Sequence, residues 1–230
     1  MEPVVFLPGF MSDARLFRDQ LDALSPVRSV QVATFGEADN VRDMAARVIA
    51  DLPERSVLLG SSLGGMVAME VLRRVPERVA RLVLIATDAL SELPGVAATR
   101  DLMITRARAG RLDDAMAEAV PMAALAPGPS RAEALDILRE MAHRVGPTRF
   151  AAQSRALQRR PDQQGTLRRI TVPTLLICGA YDSVFTCRRH EVMAGLVPHA
   201  DLMTLDEAGH LPTLEAPVKV NDILRGWLDG

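Results

Sequence analysis

The chain has 230 residues, of which 48% are hydrophobic and 24% are charged, and its formal net charge is −2. This composition excludes an intrinsically disordered chain, and the near-neutral charge excludes the strongly basic surface of a nucleic-acid-binding protein. A chain of this length can bury one large core, roughly 70 to 75% of its unfolded surface. The two cysteines form neither a disulfide framework nor a metal-ligand set, so we expect a reducing compartment.

The amino-terminal sequence MEPVVFLPGF has neither a basic segment nor a long apolar segment. No window of the chain reaches the ~18 apolar residues of a membrane-spanning helix. We therefore expect a cytoplasmic protein with no membrane partner and no nucleic-acid partner.

Strands and helices alternate in the first 88 residues. Asn40 can cap a helix over residues 41–52, and a buried helix is predicted over residues 63–75, where Pro76 ends it. The predicted strands are continuous apolar runs, which is typical of parallel sheets buried on both faces. These strands cover residues 3–7, 29–35, 56–60 and 81–87.

The alternation stops at residue 89 and resumes at about residue 169. Helices are predicted over 97–109, 112–120 and 131–143, and the sequences PGV, APGPS and VGPT interrupt them. After this segment come strands within 172–182 and 200–210 and helices near 186–196 and 217–228. The sequence therefore predicts an α/β fold in which helices flank a mostly parallel sheet. Its core comprises residues 1–88 and 169–230, and residues 89–168 form an inserted helical cap.

Residues 58–66 read LLGSSLGGM and lie between a predicted strand and a predicted helix. The G-x-S-x-G pattern of a nucleophilic serine at a sharp strand-to-helix turn fits only Ser62, with Gly60 and Gly64 on either side. Ser61 does not have glycines at these positions. An ordinary tight turn or an anion-binding loop is the alternative, although a phosphate-binding loop would need a nearby lysine that the sequence lacks.

His210 is the candidate base for such a serine. It follows the strand within 200–210, so its loop is expected at the same sheet edge as Ser62. The other histidines fit less well, because His143 lies in the inserted segment and His199 precedes its strand. His190 lies in an arginine-rich helix, CRRHE, where a solvent-facing position is expected.

Asp182 is the candidate acid that orients the histidine. It follows the strand in LLICGAYD, and it completes the chain order Ser62, Asp182, His210 that accompanies this kind of turn. Asp88, which follows the strand over 81–87, is the alternative acid.

On these motifs the chain resembles the α/β-hydrolase fold family of small esterases, lactonases and acyl-ester hydrolases. The loop LPGFMSDARLF resembles the family loop that supplies an oxyanion donor, which implies the backbone N–H groups of Phe10 and Leu63 as the oxyanion hole. The resemblance implies hydrolysis of an ester, lactone or thioester through an acyl-serine at Ser62, without a metal or an organic cofactor. The substrate is expected to be a small to medium, largely apolar molecule.

Three departures from the family pattern accompany the resemblance. Pro8 occupies the position of a usual histidine, and Phe17 occupies the position of a common tryptophan. The leading hairpin of the family is absent, so one sheet edge is expected to be exposed and open to a partner subunit. The expected state is a monomer or a homodimer.

The same fold and the same three residue types also serve other functions. C–C bond hydrolases usually have tryptophan after the catalytic histidine, where this chain has Leu211, and perhydrolases often have proline where it has Met11. A non-catalytic ligand-binding protein is the alternative from another class. Four methionines of the inserted segment are interpreted mainly as core residues: Met103, Met116, Met122 and Met141.

Overall fold

A computed structural model describes residues 1–230 and contains one sheet of six strands, all paired in parallel. The strands are β1 (Val4–Leu7), β2 (Val30–Val32), β3 (Ser56–Ser61), β4 (Val79–Ile85), β5 (Thr174–Gly179) and β6 (Ala200–Leu205). Their order across the sheet is β2-β1-β3-β4-β5-β6. All residues of β1, β3 and β5 are buried, as their continuous apolar runs predict for a sheet covered on both faces. The predicted α/β fold is confirmed.

The predicted strand over 29–35 is longer than the observed one. β2 is an edge strand that pairs only with β1, from Val4–Val30 to Phe6–Val32. Its partner ends at Leu7, and Pro8 has no N–H to continue the ladder. The residues after Val32 therefore leave the sheet as a loop.

The chain also forms eleven α-helices. None of them combines the length and the apolar character needed to cross a membrane. They are α1 (Arg18–Leu24), α2 (Val41–Asp51), α3 (Leu63–Arg74), α4 (Pro94–Arg108), α5 (Leu112–Ala119), α6 (Ser130–Val145), α7 (Pro147–Gln158), α8 (Gln164–Leu167), α9 (Cys187–Leu196), α10 (Pro212–Glu215) and α11 (Pro217–Asp229). The predicted cap of α2 is confirmed, because the Asn40 side chain accepts a 2.9 Å hydrogen bond from the Asp43 N–H.

Five of these helices, α4 to α8, lie between β4 and β5, and this segment contains no strand. Helix α7 differs from the sequence-based expectation, since Gly146 and Pro147 predict an interruption of the helices. Gly146, with φ 85°, ends α6, and Pro147 occupies the first position of α7, where proline is tolerated. The prediction of core methionines is confirmed for Met103, Met116 and Met141. It is wrong for Met122, which begins a short 3-10 turn after α5 and is exposed.

Helix α3 lies unusually close to the strands beneath its first turn. A β-carbon on Gly64 would overlap the carbonyl oxygen of Leu7, and one on Gly60 would lie 2.5 Å from the Gly64 carbonyl oxygen. The absence of side chains at both positions lets the helix begin directly above the sheet. This contact fixes the height of the turn that carries Ser62.

Replacement of Gly64 by alanine is expected to destabilise the fold by about 3 kcal/mol or more, because rigid backbone atoms would have to move. Gly226→Ala is the matched control, since a β-carbon at this helical position meets no atom within 4 Å. The control should be neutral or up to about 1 kcal/mol more stable. Urea unfolding measures both, and equal stabilities of the two variants would contradict the close approach of α3.

Candidate active site

Ser62 is the single residue between β3 and α3, and its backbone is strained. Its φ of 51° and ψ of −116° lie in a region that residues with a side chain rarely occupy. Its N–H donates to the Ile85 carbonyl oxygen at 2.9 Å, and its carbonyl oxygen accepts from Thr87 Oγ1 at 2.6 Å. These bonds hold the strained turn on both sides, and the Ser62 residue is only 6% exposed.

His210 and Asp182 are brought together at the carboxyl-terminal edge of the sheet. His210 Nδ1 lies 2.9 Å from Asp182 Oδ2, and the histidine is 3% exposed. The other carboxylate oxygen of Asp182 accepts from the N–H groups of Val184 and Phe185 at 2.8 and 2.9 Å. The carboxylate is thus held in place by its own loop. Because Nδ1–H donates to this carboxylate, Nε2 of His210 is the acceptor of the neutral ring.

Opposing influences act on the pKa of His210. Burial lowers this pKa, but the charge and the hydrogen bond of Asp182, together with the charge of Glu215, outweigh burial and raise it above its ordinary value. A histidine with this environment takes up a proton more readily than a free imidazole.

Asp88, the alternative acid, makes other contacts. Its carboxylate forms an ion pair with Arg189, lies 3.9 Å from Arg160, and accepts from the Leu90 N–H at 3.2 Å. The carboxylate bonded to His210 therefore belongs to the loop after β5.

The expectation that His190 faces solvent is wrong, because its side chain is fully buried. It lies on the inner face of α9, where Nε2 accepts from the Thr87 N–H and Nδ1 donates to the Thr186 carbonyl oxygen, both at 3.1 Å. Since Thr87 also binds Ser62, a continuous chain of hydrogen bonds joins the Ser62 turn to the loop of Asp182. Burial is the main cause that lowers the pKa of His190, so this histidine is neutral.

The remaining two histidines lie away from these residues. His143 is exposed on α6 and pairs with Asp113 at 2.8 Å, and His199 is exposed before β6 with φ 59°. His210 is therefore the histidine that follows a strand at the edge where Ser62 lies.

Residues 8–13, the β1 loop, pass directly against Ser62. A β-carbon on Gly9 would lie 3.4 Å from the Ser62 β-carbon. The N–H of Phe10 has no acceptor among the hydrogen bonds of the protein. Leu63 is the first residue of α3, where N–H groups have no acceptor within the helix and the helix dipole favours negative charge. Both predicted oxyanion donors thus adjoin Ser62.

The inserted segment holds the β1 loop in place. Met11 has φ 54°, and its N–H donates to the buried Gln153 side chain of α7 at 2.7 Å. The Phe10 ring packs edge-on against Phe150 of the same helix, with ring centroids 5.2 Å apart. The backbone around the candidate oxyanion donor is therefore fixed from the side of the inserted helices.

The sequence does not identify Gln153 or the buried carboxylate of Glu215, which accepts from the backbone on either side of His210. Gln153 lies in the helix that was not predicted, and its partner is a backbone group 142 residues away. Glu215 follows His210 by five positions, and no spacing rule marks such a residue. No group of three or more His, Cys, Asp or Glu side chains is arranged to hold a metal ion.

The two buried histidines are expected to titrate on opposite sides of the ordinary value of about 6.5, His210 above it and His190 below it. Asp182→Asn removes the nearest charge and should lower the pKa of His210, because burial then prevails. Histidine side-chain NMR as a function of pH measures both values. A His190 that protonates at higher pH than His210 would contradict the described contacts.

Comparisons with known proteins agree with this geometry. The family model described as alpha/beta hydrolase family matches residues 4–223. A pimeloyl-[acyl-carrier protein] methyl ester esterase of Aromatoleum aromaticum is 32% identical over 207 residues, which cover 78% of this chain and 78% of that protein. The biotin biosynthesis bifunctional protein BioHC of Teredinibacter turnerae is 27% identical over 98% of this chain, which spans 44% of that relative's length.

Solved structures show the same architecture. A thermophilic esterase from Thermogutta terrifontis, in a malate-bound structure, has a TM-score of 0.90 and 27% identity, with 100% of this chain and 90% of that chain covered. An enol-lactonase from Burkholderia xenovorans has a TM-score of 0.85 at 21% identity, with coverage of 100% and 92%, and shares the fold. With its parallel sheet, its strained serine turn and a family match over nearly its whole length, the chain belongs to the alpha/beta hydrolase family.

Proposed function

We propose that the chain hydrolyses carboxylic esters with Ser62 as nucleophile, His210 as base and Asp182 as the residue that orients the base. The observation that carries this proposal is the buried Asp182–His210 hydrogen bond at the sheet edge where Ser62 occupies a strained turn. Two similar proteins that are named as esterases, those from A. aromaticum and T. terrifontis, support the choice of ester bonds.

The first half of the reaction forms an acyl-enzyme. Ser62 Oγ attacks the ester carbonyl carbon while its proton passes to His210 Nε2, and Asp182 stabilises the imidazolium that results. The N–H groups of Phe10 and Leu63 donate to the oxyanion of the tetrahedral intermediate. When the intermediate collapses, the bond to the alcohol oxygen breaks and the proton passes from the imidazolium to the departing alcohol.

The second half consumes one water molecule. His210 removes a proton from water, whose oxygen attacks the acyl carbon and displaces Ser62 Oγ. The serine regains its proton from His210, and a carboxylic acid leaves. The net reaction converts an ester and water into an acid and an alcohol, and the side chains return to their starting states.

A cavity of about 300 Å³ lies beside the β1 loop, and its lining includes Pro8, Ser12, Phe35, Val145 and Gln153. None of Ser62, Asp182 and His210 lines this cavity, so its volume sets no limit on the substrate. We propose an ester of a small alcohol with an acyl group of moderate length, and the methyl ester in the name of the A. aromaticum relative supports this class.

Treatment with a fluorophosphonate should add one phosphonyl group to Ser62, because an activated serine reacts with this reagent. Intact mass and peptide mapping locate the adduct, and Ser62→Ala is the control that should stay unmodified. An unlabelled wild-type protein that hydrolyses no ester in a panel would favour the non-catalytic binding function instead.

The choice of acid is tested by two matched substitutions. Asp182→Asn should reduce kcat/KM on the order of 10⁴-fold, because the neutral amide no longer selects the required histidine tautomer. Asp88→Asn, at the alternative acid, should retain activity within about tenfold, since its partners are arginines. Steady-state kinetics on folded variants decides, and the reverse ranking would assign the role to Asp88.

The substrate class is tested with a matched ester series. Methyl and ethyl esters of six- to eight-carbon acids, free and attached to an acyl carrier protein, are compared with esters of bulky alcohols. The highest kcat/KM is expected for the small alcohols. Preference for bulky alcohols would contradict the proposed substrate class, and product formation from a C–C bonded diketone or from peroxide would favour the other reactions of this fold.

A further inference from the structure

The carboxylate of Glu215, at the end of α10, is buried and bonded only to backbone N–H groups. The residue is 7% exposed. Oε2 accepts from the N–H of Ala126 at 2.6 Å and of Gly209 at 3.0 Å, and Oε1 accepts from the N–H of Leu211 at 2.8 Å. No arginine, lysine or histidine forms an ion pair with it. A buried charge without a cation is costly, and these three backbone donors offset part of that cost.

Two of these donors are the residues on either side of His210. The N–H of His210 itself donates to the Ala124 carbonyl oxygen at 2.8 Å. Three successive backbone N–H groups, of residues 209, 210 and 211, are therefore anchored, two by Glu215 and one by the inserted segment. These contacts hold the His210 backbone in one position, in addition to the hydrogen bond between its ring and Asp182.

The third donor, Ala126, joins the inserted segment to the same carboxylate. Residues 124–126 lie so close to the histidine loop that a β-carbon on Gly209 would overlap the Ala124 carbonyl oxygen and lie 2.7 Å from the Leu125 Cα. Through these hydrogen bonds Glu215 joins two chain segments that are more than 80 residues apart in the sequence. His210 lies between the two donors of the second segment, Gly209 and Leu211.

We propose that Glu215 is a positioning residue that holds the His210 backbone against the inserted segment so that the imidazole can serve both Ser62 and Asp182. This inference rests on the proposed function of His210 as the base. Glu215 touches neither the substrate nor the reacting atoms and acts through the loop it binds.

The charge of Glu215 provides a readout that packing alone would not give. The titratable groups around His210 are the carboxylates of Asp182 and Glu215 and the neutral ring of His190, and Arg160 lies over the Phe185 ring that packs against the histidine. Both carboxylates raise the pKa of His210. Loss of one negative charge must therefore lower that pKa and move the acid limb of kcat/KM to lower pH.

The test is Glu215→Gln, which keeps the size of the side chain but removes its charge and presents an NH₂ group to a backbone donor. We expect kcat to fall roughly 10- to 100-fold with little change in KM, because a small displacement of the base affects the chemical step. The acid limb of the pH profile and the His210 titration should both move to lower pH. Glu207→Gln, an exposed residue of the same loop that pairs with Lys219, is the control and should behave like wild type.

Kinetics within twofold of wild type and an unchanged His210 titration in folded Glu215→Gln would overturn the inference. If the variant does not fold, the wild-type protein still provides a test by amide NMR. The N–H resonances of Ala126, Gly209 and Leu211 should share one titration midpoint, above the ordinary value of a glutamate because burial raises the pKa of Glu215. Independent midpoints would overturn the inference.

Fluorophosphonate labelling separates this inference from the proposed function. A wild-type protein that is not labelled at Ser62 contradicts the proposed function itself. A labelled wild type together with a Glu215→Gln variant that is labelled at the same rate contradicts only the positioning role.

Discussion

The close approach of α3 to the sheet is the constraint on which the site depends. Gly60 and Gly64 have no side chains at the contact, so the helix begins immediately above the strands and the intervening Ser62 takes a left-handed backbone conformation. Because the helix begins at Leu63, directly after Ser62, the positive end of the helix dipole lies beside the serine. The same packing contact therefore fixes the strained backbone of Ser62 and places it next to the helix N-terminus.

The inserted helices complete the site by holding two loops of the core. On one side Gln153 binds the backbone of Met11 in the β1 loop, and on the other the carbonyl of Ala124 and the N–H of Ala126 meet the histidine loop, directly and through Glu215. The inserted segment thus contacts the backbone on both sides of the site and positions groups that the proposed chemistry uses. Its sequence therefore affects the geometry of the proposed oxyanion donor and base as well as the shape of the pocket.

The sequence predicts the parts of this structure that follow from local rules. Continuous apolar runs identify the parallel sheet, and the spacing of glycines around Ser62 identifies the strained turn. It does not predict His190 as a buried group, because the arginines around it suggest a solvent-facing helix and only tertiary packing reveals the inner face. Glu215 and Gln153 are missed for a related reason, since their partners are backbone N–H groups of distant segments, and a backbone partner leaves no mark in the residue pattern.

The contacts of Gln153 and Glu215 also bear on the order in which the chain folds. The two contacts join residues that are separated by 142 and 89 positions in the sequence, so each contact closes a long loop. The entropy cost of closing these loops is offset only after both the core and the inserted segment have formed. The pairing of β4 with β5 spans the same insertion, from Leu82–Thr174 to Ile85–Ile177, so the two halves of the sheet join at a comparable entropy cost. During refolding, the strands and helices within each half should therefore precede the joining of the halves. The proposed arrangement of Ser62 and His210, which lie in different halves, should form only with that last step.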